Sequence, residues 1–178
     1  NGTMQMLTSK LIGAKVFSIH AGHNVGTVKS WLIDLKDLKV SIITVELSDK
    51  ALNYLLAGDI RSLGAGGKHM VIIDYEEKLS PKEDLIRHRE MIDDGTSLIG
   101  YKVKTASGRY LGKLKDLSID MQDLYVLKLH IRARAMARLV NERLMIDRTD
   151  ILEINKGLIT VKDSYAKTKQ AVQKALPA

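Results

Sequence analysis

Arginines gather in one stretch of this chain, and arginine is the side chain best suited to gripping phosphate or carboxylate. Arg132, Arg134, Arg138, Arg143 and Arg148 fall within a single connection, and Lys167, Lys169 and Lys174 follow near the C-terminus. A guanidinium presents a planar fork of donors that meets two oxygens of an anion at once, whereas an ammonium acts as a point charge. Such a cluster suits an RNA backbone, a ribonucleoprotein or protein surface with an acidic patch, or an anionic membrane surface. An ordinary solvated helix face would carry the same residues, with Arg134 and Arg138 four apart on one side. Aromatics are scarce, with one Trp, one Phe and six Tyr in 178 residues. Stacking of single-stranded bases is therefore unsupported, and contact to a phosphate backbone or structured RNA fits better. Met136, Leu139 and Val140 beside the arginines would equally make a self-association face, and hence a homodimer.

Other groups of reactive residues read as structure. Gly64-Ala65-Gly66-Gly67-Lys68-His69 invites comparison with a phosphate-binding loop. Ser62 stands where its first glycine belongs, His69 replaces the Ser/Thr, and no helix is predicted to follow, so the segment predicts a hairpin turn. His20 and His23 lie three apart in a turn, with Asp34 as a conceivable third metal ligand. The second copy has Ala106 or Ser107 and Arg109 there, so surface turn histidines are the better reading, and no metal or other cofactor is expected. Asp34 and Asp37, like Asp120 and Asp123, are carboxylates at a strand-to-turn junction. General acid–base work would need them in a pocket with shifted pKa values; the simpler role is bonding backbone N–H groups to close the turn. No catalytic residue is assigned, and the chain reads as non-enzymatic.

These residues sit on an uneven field. Residues 1–97 hold 12 Lys/Arg against 13 Asp/Glu, and residues 98–178 hold 16 against 8. The whole of the net +7 charge thus belongs to the second half, which is where a polyanionic partner should dock. There are no cysteines, which excludes disulfides and thiolate metal sites and fits a reducing, cytoplasmic setting. No apolar run approaches the roughly 18 residues of a membrane span. The basic tail, Tyr165–Lys174, would still suit a peripheral contact with anionic lipid.

The elements that must position these residues occur twice. Leu11-Ile12-Gly13-Ala14-Lys15-Val16 returns as Leu98-Ile99-Gly100-Tyr101-Lys102-Val103. Gly22, Gly26, Lys29, Ile33, Asp34, Asp37, Leu38 and Val40 return as Gly108, Gly112, Lys115, Ile119, Asp120, Asp123, Leu124 and Val126. A period of roughly 87 residues exceeds the about 20–50 of solenoid repeats and suits tandem copies of a small domain. In the first copy, strands are predicted at Lys15–Ile19, Thr27–Asp34, Leu38–Leu47, Ala57–Ser62 and Lys68–Asp74. The second copy has them at Lys102–Thr105, Lys113–Asp120, Leu124–Ile131, Leu144–Asp147 with Ile151–Ile154, and Leu158–Asp163. Val28, Trp31 and Ile33, and again Leu114, Leu117 and Ile119, are spaced three and then two. That predicts a face switch near Lys29-Ser30 and Lys115-Asp116, as a bulge would give. Leu38, Val40 and Ile42, followed by Ile43, Val45 and Leu47, predict another. Such slips belong to a strongly curled sheet or small barrel. Ser80-Pro81-Lys82-Glu83 predicts a helix start with Ser80 as N-cap, and Asp94-Gly95 its end. Ser164–Ala175 predicts a C-terminal helix or tail. About five extra residues between the third and fourth strands make the Arg-bearing connection peculiar to the second copy.

The order of these motifs resembles the PRC-barrel domain. The matching residues are Leu11-Ile12-Gly13, Gly22, Gly26, Asp34, Leu55-Leu56 and Asp59-Ile60 in one copy. In the other they are Leu98-Ile99-Gly100, Gly108, Gly112, Asp120, Met145-Ile146 and Asp150-Ile151. The family includes the cytoplasmic domain of the photosynthetic reaction-centre H subunit and the C-terminal domain of the ribosome-maturation factor RimM. The resemblance implies a mainly β fold of two small barrels that bind other macromolecules without catalysis. It gives a first barrel over 8–75, a helical linker over 76–97, a second barrel over 98–163 and a basic tail over 164–178. The expected function is an adaptor that docks on a protein or ribonucleoprotein partner, RNA or ribosome related, through its basic half. The alternative is a scaffold or assembly protein at a membrane face.

Overall fold

The computed structural model describes residues 2, 4–64, 69–133 and 143–165. The chain is mainly β, and it divides into two compact units. The first comprises Asn1–Ser97 with Ser118–Val126, and the second Leu98–Leu117 with Leu127–Ala178.

In the first unit the strands are β1 (Gln5–Leu7), β2 (Lys15–Ser18), β3 (His23–Asp34), β4 (Lys39–Glu46), β5 (Leu52–Leu56), β6 (Ile60–Leu63) and β7 (Met70–Ile73). Six of them form a sheet in the order β5-β4-β3-β2-β7-β6. Only the β2–β7 pair is parallel. The predicted face switch is present: Val28 pairs with Val45 and Ser30 with Thr44, which leaves Lys29 as the extra residue of a bulge. A second slip between Leu32 and Ile33 leaves Ser41 extra on β4. Both bends turn apolar residues inward, and Val28, Val40, Ile42, Ile43, Val45, Leu55, Val71 and Ile73 are wholly buried.

The turn between β3 and β4 is closed as the sequence predicts, with Lys36 N–H donating to Asp34 Oδ1 at 2.9 Å. The copy at Ser118–Val126 repeats this: Gln122 N–H donates to Asp120 Oδ1 at 2.7 Å and Tyr125 N–H to Asp123 Oδ1 at 3.2 Å. Leu38 and Leu124, equivalent in the repeat, both take positive φ (50° and 64°). Branched residues seldom adopt this conformation. Reciprocal bonds hold it here: Val40 N–H donates to Leu124 O at 3.1 Å and Val126 N–H to Leu38 O at 2.8 Å.

In the second unit the strands are β8 (Lys102–Thr105), β9 (Tyr110–Asp120, its last residues in the first unit), β10 (Val126–Ala133), β11 (Arg143–Asp147), β12 (Ile151–Asn155) and β13 (Leu158–Val161). Their order, β11-β10-β9-β8-β13-β12, is that of the first sheet strand for strand, and again one inner pair, β13–β8, is parallel. β1 adds to the end of β9 through Ser118–Asp120. Leu111, Leu114, Leu117, Leu129, Ile131, Ile146, Ile159 and Val161 form the core. Among the described residues, no pairing joins the two ends of either strand path.

Three local expectations are corrected. β5 covers Leu52–Leu56, and Ala57–Asp59 is a 3-10 turn rather than the start of a strand. The predicted linker helix is instead two 3-10 turns, Lys82–Asp84 and Ile86–His88, leading into a short helix α1, Arg89–Asp94. Ser80 is no N-cap, because its backbone is paired with Tyr54 in both directions, at 2.8 and 3.0 Å. The predicted C-terminal helix lies outside the described residues from 166 onward. Among the described residues no helix is long and apolar enough to cross a membrane.

Candidate functional site

On the second sheet, alternation puts every other residue of four neighbouring strands on the outer face. β8 turns Val103 and Thr105 inward and presents Lys102 and Lys104; β9 buries Leu114 between exposed Lys113 and Lys115. β10 buries Leu129 and Ile131 and presents Lys128, His130 and Arg132; β11 buries Ile146 and presents Arg143 and Met145. The strand order β11-β10-β9-β8 makes these positions neighbours. Seven Lys/Arg therefore share one face, and several oppose each other directly. Arg132 is the cross-strand partner of Arg143, and Lys102 of Lys113. Like charges placed opposite each other oppose sheet formation by a few tenths to about 1 kcal/mol per pair.

Two carboxylates border this face: exposed Asp147 is the cross-strand partner of Lys128, and the charge of Asp116 acts on His130. Asp147 Oδ1 accepts Thr149 N–H at 3.0 Å and Thr149 Oγ1 at 2.8 Å. That backbone bond, then the hydroxyl bond, hold its carboxyl below the ordinary carboxylate value. Asp116 Oδ1 accepts Leu117 N–H at 2.8 Å. Asp150 accepts the Tyr165 hydroxyl at 2.5 Å and pairs with Lys162 at 3.2 Å, and its carboxyl is lowered by those two contacts in that order.

His130 stands within this face. Burial pushes its imidazole below the ordinary value; the Asp116 charge opposes this, and the charges of Lys128 and Arg143 add to it. The ring is therefore neutral near pH 7. Protonation adds a cation to the face only as pH falls through a value below about 6.5. The sign follows for both properties: affinity for an anion rises across that range. Folding stability falls there, because the unfolded chain takes up the proton first. In urea unfolding followed from pH 8 to 5, His130→Gln should lose less stability on acidification than the parent chain; identical profiles would count against a depressed His130.

The first unit shows what the second has changed. The repeat equivalents of Lys102, Lys104, Lys113, Lys115, Lys128, Arg132 and Arg143 are Lys15, Phe17, Thr27, Lys29, Ile42, Glu46 and Leu52. Glu46 pairs with Lys29 and Lys50, each at 3.4 Å. Burial would raise its carboxyl, but the Lys50 hydrogen bond and the Lys29 charge outweigh this and hold it below the ordinary value. A shallow groove of about 630 Å³ beside it, lined by Lys15, His23, Glu46, Asp49 and Lys50 among others, mixes both signs of charge.

Of the arginines singled out in the sequence, Arg132 and Arg143 come together, and Arg148 lies on the 3-10 turn after β11, half-buried. Arg134, Arg138, Lys167, Lys169 and Lys174 lie outside the described residues, as do Met136, Leu139 and Val140. Lys102, Lys104, Lys113, Lys115 and Lys128 were not anticipated. Their signal was the alternation with Val103, Leu114 and Leu129, legible once the strands are placed. The histidine pair does not converge: His20 packs on the Tyr75 ring at 5.3 Å, while His23 Nδ1 lies 3.0 Å from the Asn24 carbonyl. Among the described residues no group of three His, Asp or Glu is arranged to hold a metal ion. Of the glycine-rich segment, residues 65–68 lie outside the described residues; on either side of them β6 and β7 are antiparallel, and Gly64 N–H donates to Met70 O at 2.9 Å. The chain matches no protein-family model, and no curated protein sequence matches it.

Proposed function

We propose that this chain is a non-enzymatic docking protein whose second unit binds an RNA-containing partner through the outer face of β8–β11. Each curled sheet is taken as a PRC-barrel-like domain, the first serving as a charge-balanced companion to the second. The observation that carries this reading is the Arg132–Arg143 and Lys102–Lys113 opposition within a face of seven cations. Such an arrangement weakens the free sheet and is relieved when an anion lies across it. The face is broad and studded with separated lysines, which suits successive phosphates along a backbone. The paired turn aspartates support a non-catalytic role, since Asp34, Asp120 and Asp123 are bonded to backbone N–H groups of their own turns.

The test is a salt titration of binding to a structured RNA. Replacing Lys113, Lys115, Arg132 and Arg143 together by Gln should lower the slope of log K against log salt by roughly 0.7–0.9 per lost phosphate contact, about 3 in all. Unchanged affinity and slope would exclude RNA docking through this face.

A further inference from the structure

The outer edge of β11 is used only in part among the described residues: Asp147 N–H donates to the Tyr165 hydroxyl at 3.3 Å, and the edge before it keeps bonding capacity. In the first unit the equivalent strand, β5, is met along its edge by the chain's own backbone. There Tyr54 N–H donates to Ser80 O at 2.8 Å and Ser80 N–H to Tyr54 O at 3.0 Å, an antiparallel bridge. Tyr54 stands opposite Thr44 of β4, and Met145 stands opposite His130 of β10. These are the same positions of the repeat. The alternation of an antiparallel ladder therefore turns the Met145 N–H and C=O toward the same outer edge. Among the described residues no backbone group pairs with them, and the strand path ends at β11. The Met145 side chain is 53 % exposed, whereas Tyr54 is half-buried.

An edge of this kind is a template for one more strand, and its side chains select the occupant. On the outer face an added strand would lie beside Arg143, which already faces Arg132, and further along beside Asp147, whose charge is offset by Lys128 opposite it. On the other face it would lie beside half-buried Leu144. We infer that the outer edge of β11 binds an extended acidic peptide segment by antiparallel strand addition. Its backbone bonds to Met145, a carboxylate lies beside Arg143 and alternate apolar residues meet Leu144. It differs from the proposed RNA docking in using main chain at the sheet's edge rather than side chains on its face, with Arg143 common to both.

The 178-residue chain, labelled with ¹⁵N, would be titrated with a short peptide of alternating glutamate and valine. The Met145 amide should shift on binding, and its hydrogen exchange should slow. Methylating the peptide nitrogen that faces Met145 should weaken binding about tenfold, the worth of one backbone hydrogen bond. Met145→Pro should do the same and Met145→Ala far less, since proline is tolerated where an edge N–H faces outward. The methylated peptide needs no variant, so the inference stays testable if the proline chain does not fold. Lys113→Gln with Lys115→Gln should weaken RNA binding and leave the peptide unaffected. Any of three results overturns the inference: methylation without effect, protection of Met145 by RNA but not by peptide, or peptide binding only to a chain ending at Tyr165, which would show that the chain's own tail already occupies the edge.

Discussion

Replacing Gly112 by alanine is expected to cost the second unit about 3 kcal/mol or more and to lower its melting temperature by more than about 10 °C. Gly112 has φ +143°, where an L side chain is strained. A Cβ there would collide with the carbonyl oxygen of Arg132, and it would lie 2.9 Å from the carbonyl carbon. Backbone in a central pair of strands cannot swing aside as a side-chain tip can, so β9 and β10 must part. That separation would also move Lys113 away from Arg132, so RNA affinity should fall with stability. Gly26, the repeat equivalent, meets the Val45 side chain and Glu46 O at 2.9 Å without positive φ. Alanine there should cost less, about 1–3 kcal/mol. Gly58 has ordinary φ and no neighbour within 4 Å, so Gly58→Ala serves as a control expected within about 0.5 kcal/mol. Thermal unfolding followed by circular dichroism checks the ranking, and buried Trp31, the only tryptophan, reports the first unit by fluorescence. Gly112→Ala melting like Gly58→Ala would refute the close-approach argument.

The two glycines also show why much of the fold was legible in the sequence. A residue type recurring at the same place in both copies marks a backbone demand. Gly26 and Gly112 mark strand crossings; Asp34 and Asp120 mark turns that need a side-chain acceptor. The bulge at Lys29 was legible because apolar spacing must slip when one residue is inserted into a ladder. β5 was not legible on its own, since Asn53 and Tyr54 break its alternation. The linker misled because Ser80-Pro81 is a good helix start locally, while tertiary pairing with Tyr54 claims the Ser80 backbone. The basic face was half legible. Arginines stood out as a cluster in sequence, but lysines on β8, β9 and β10 are scattered over 27 positions, Lys102 to Lys128. Only strand pairing brings them to one side.

Arg132→Glu should move stability and binding in opposite directions. It installs in the second unit the carboxylate that the first unit carries at Glu46, where Glu46 pairs with Lys29, the repeat equivalent of Lys115. It also turns the Arg132–Arg143 opposition into an attractive pair. Cross-strand pairs of this kind contribute about 0.2–1 kcal/mol each, at the lower end for exposed residues. A gain of up to about 1 kcal/mol in urea unfolding is therefore expected. The same change removes one phosphate contact and adds a repelling charge. Affinity for RNA at about 0.1 M salt should fall at least roughly tenfold, with a shallower salt slope. Arg132→Gln, which only neutralises, should fall between the parent and the Glu variant in both measurements. A residue kept for folding alone would lose stability on reversal, and one that is merely a solvated cation would leave affinity unchanged. Stability gained together with affinity lost is the outcome that marks Arg132 as held in a costly position for the sake of an anionic partner.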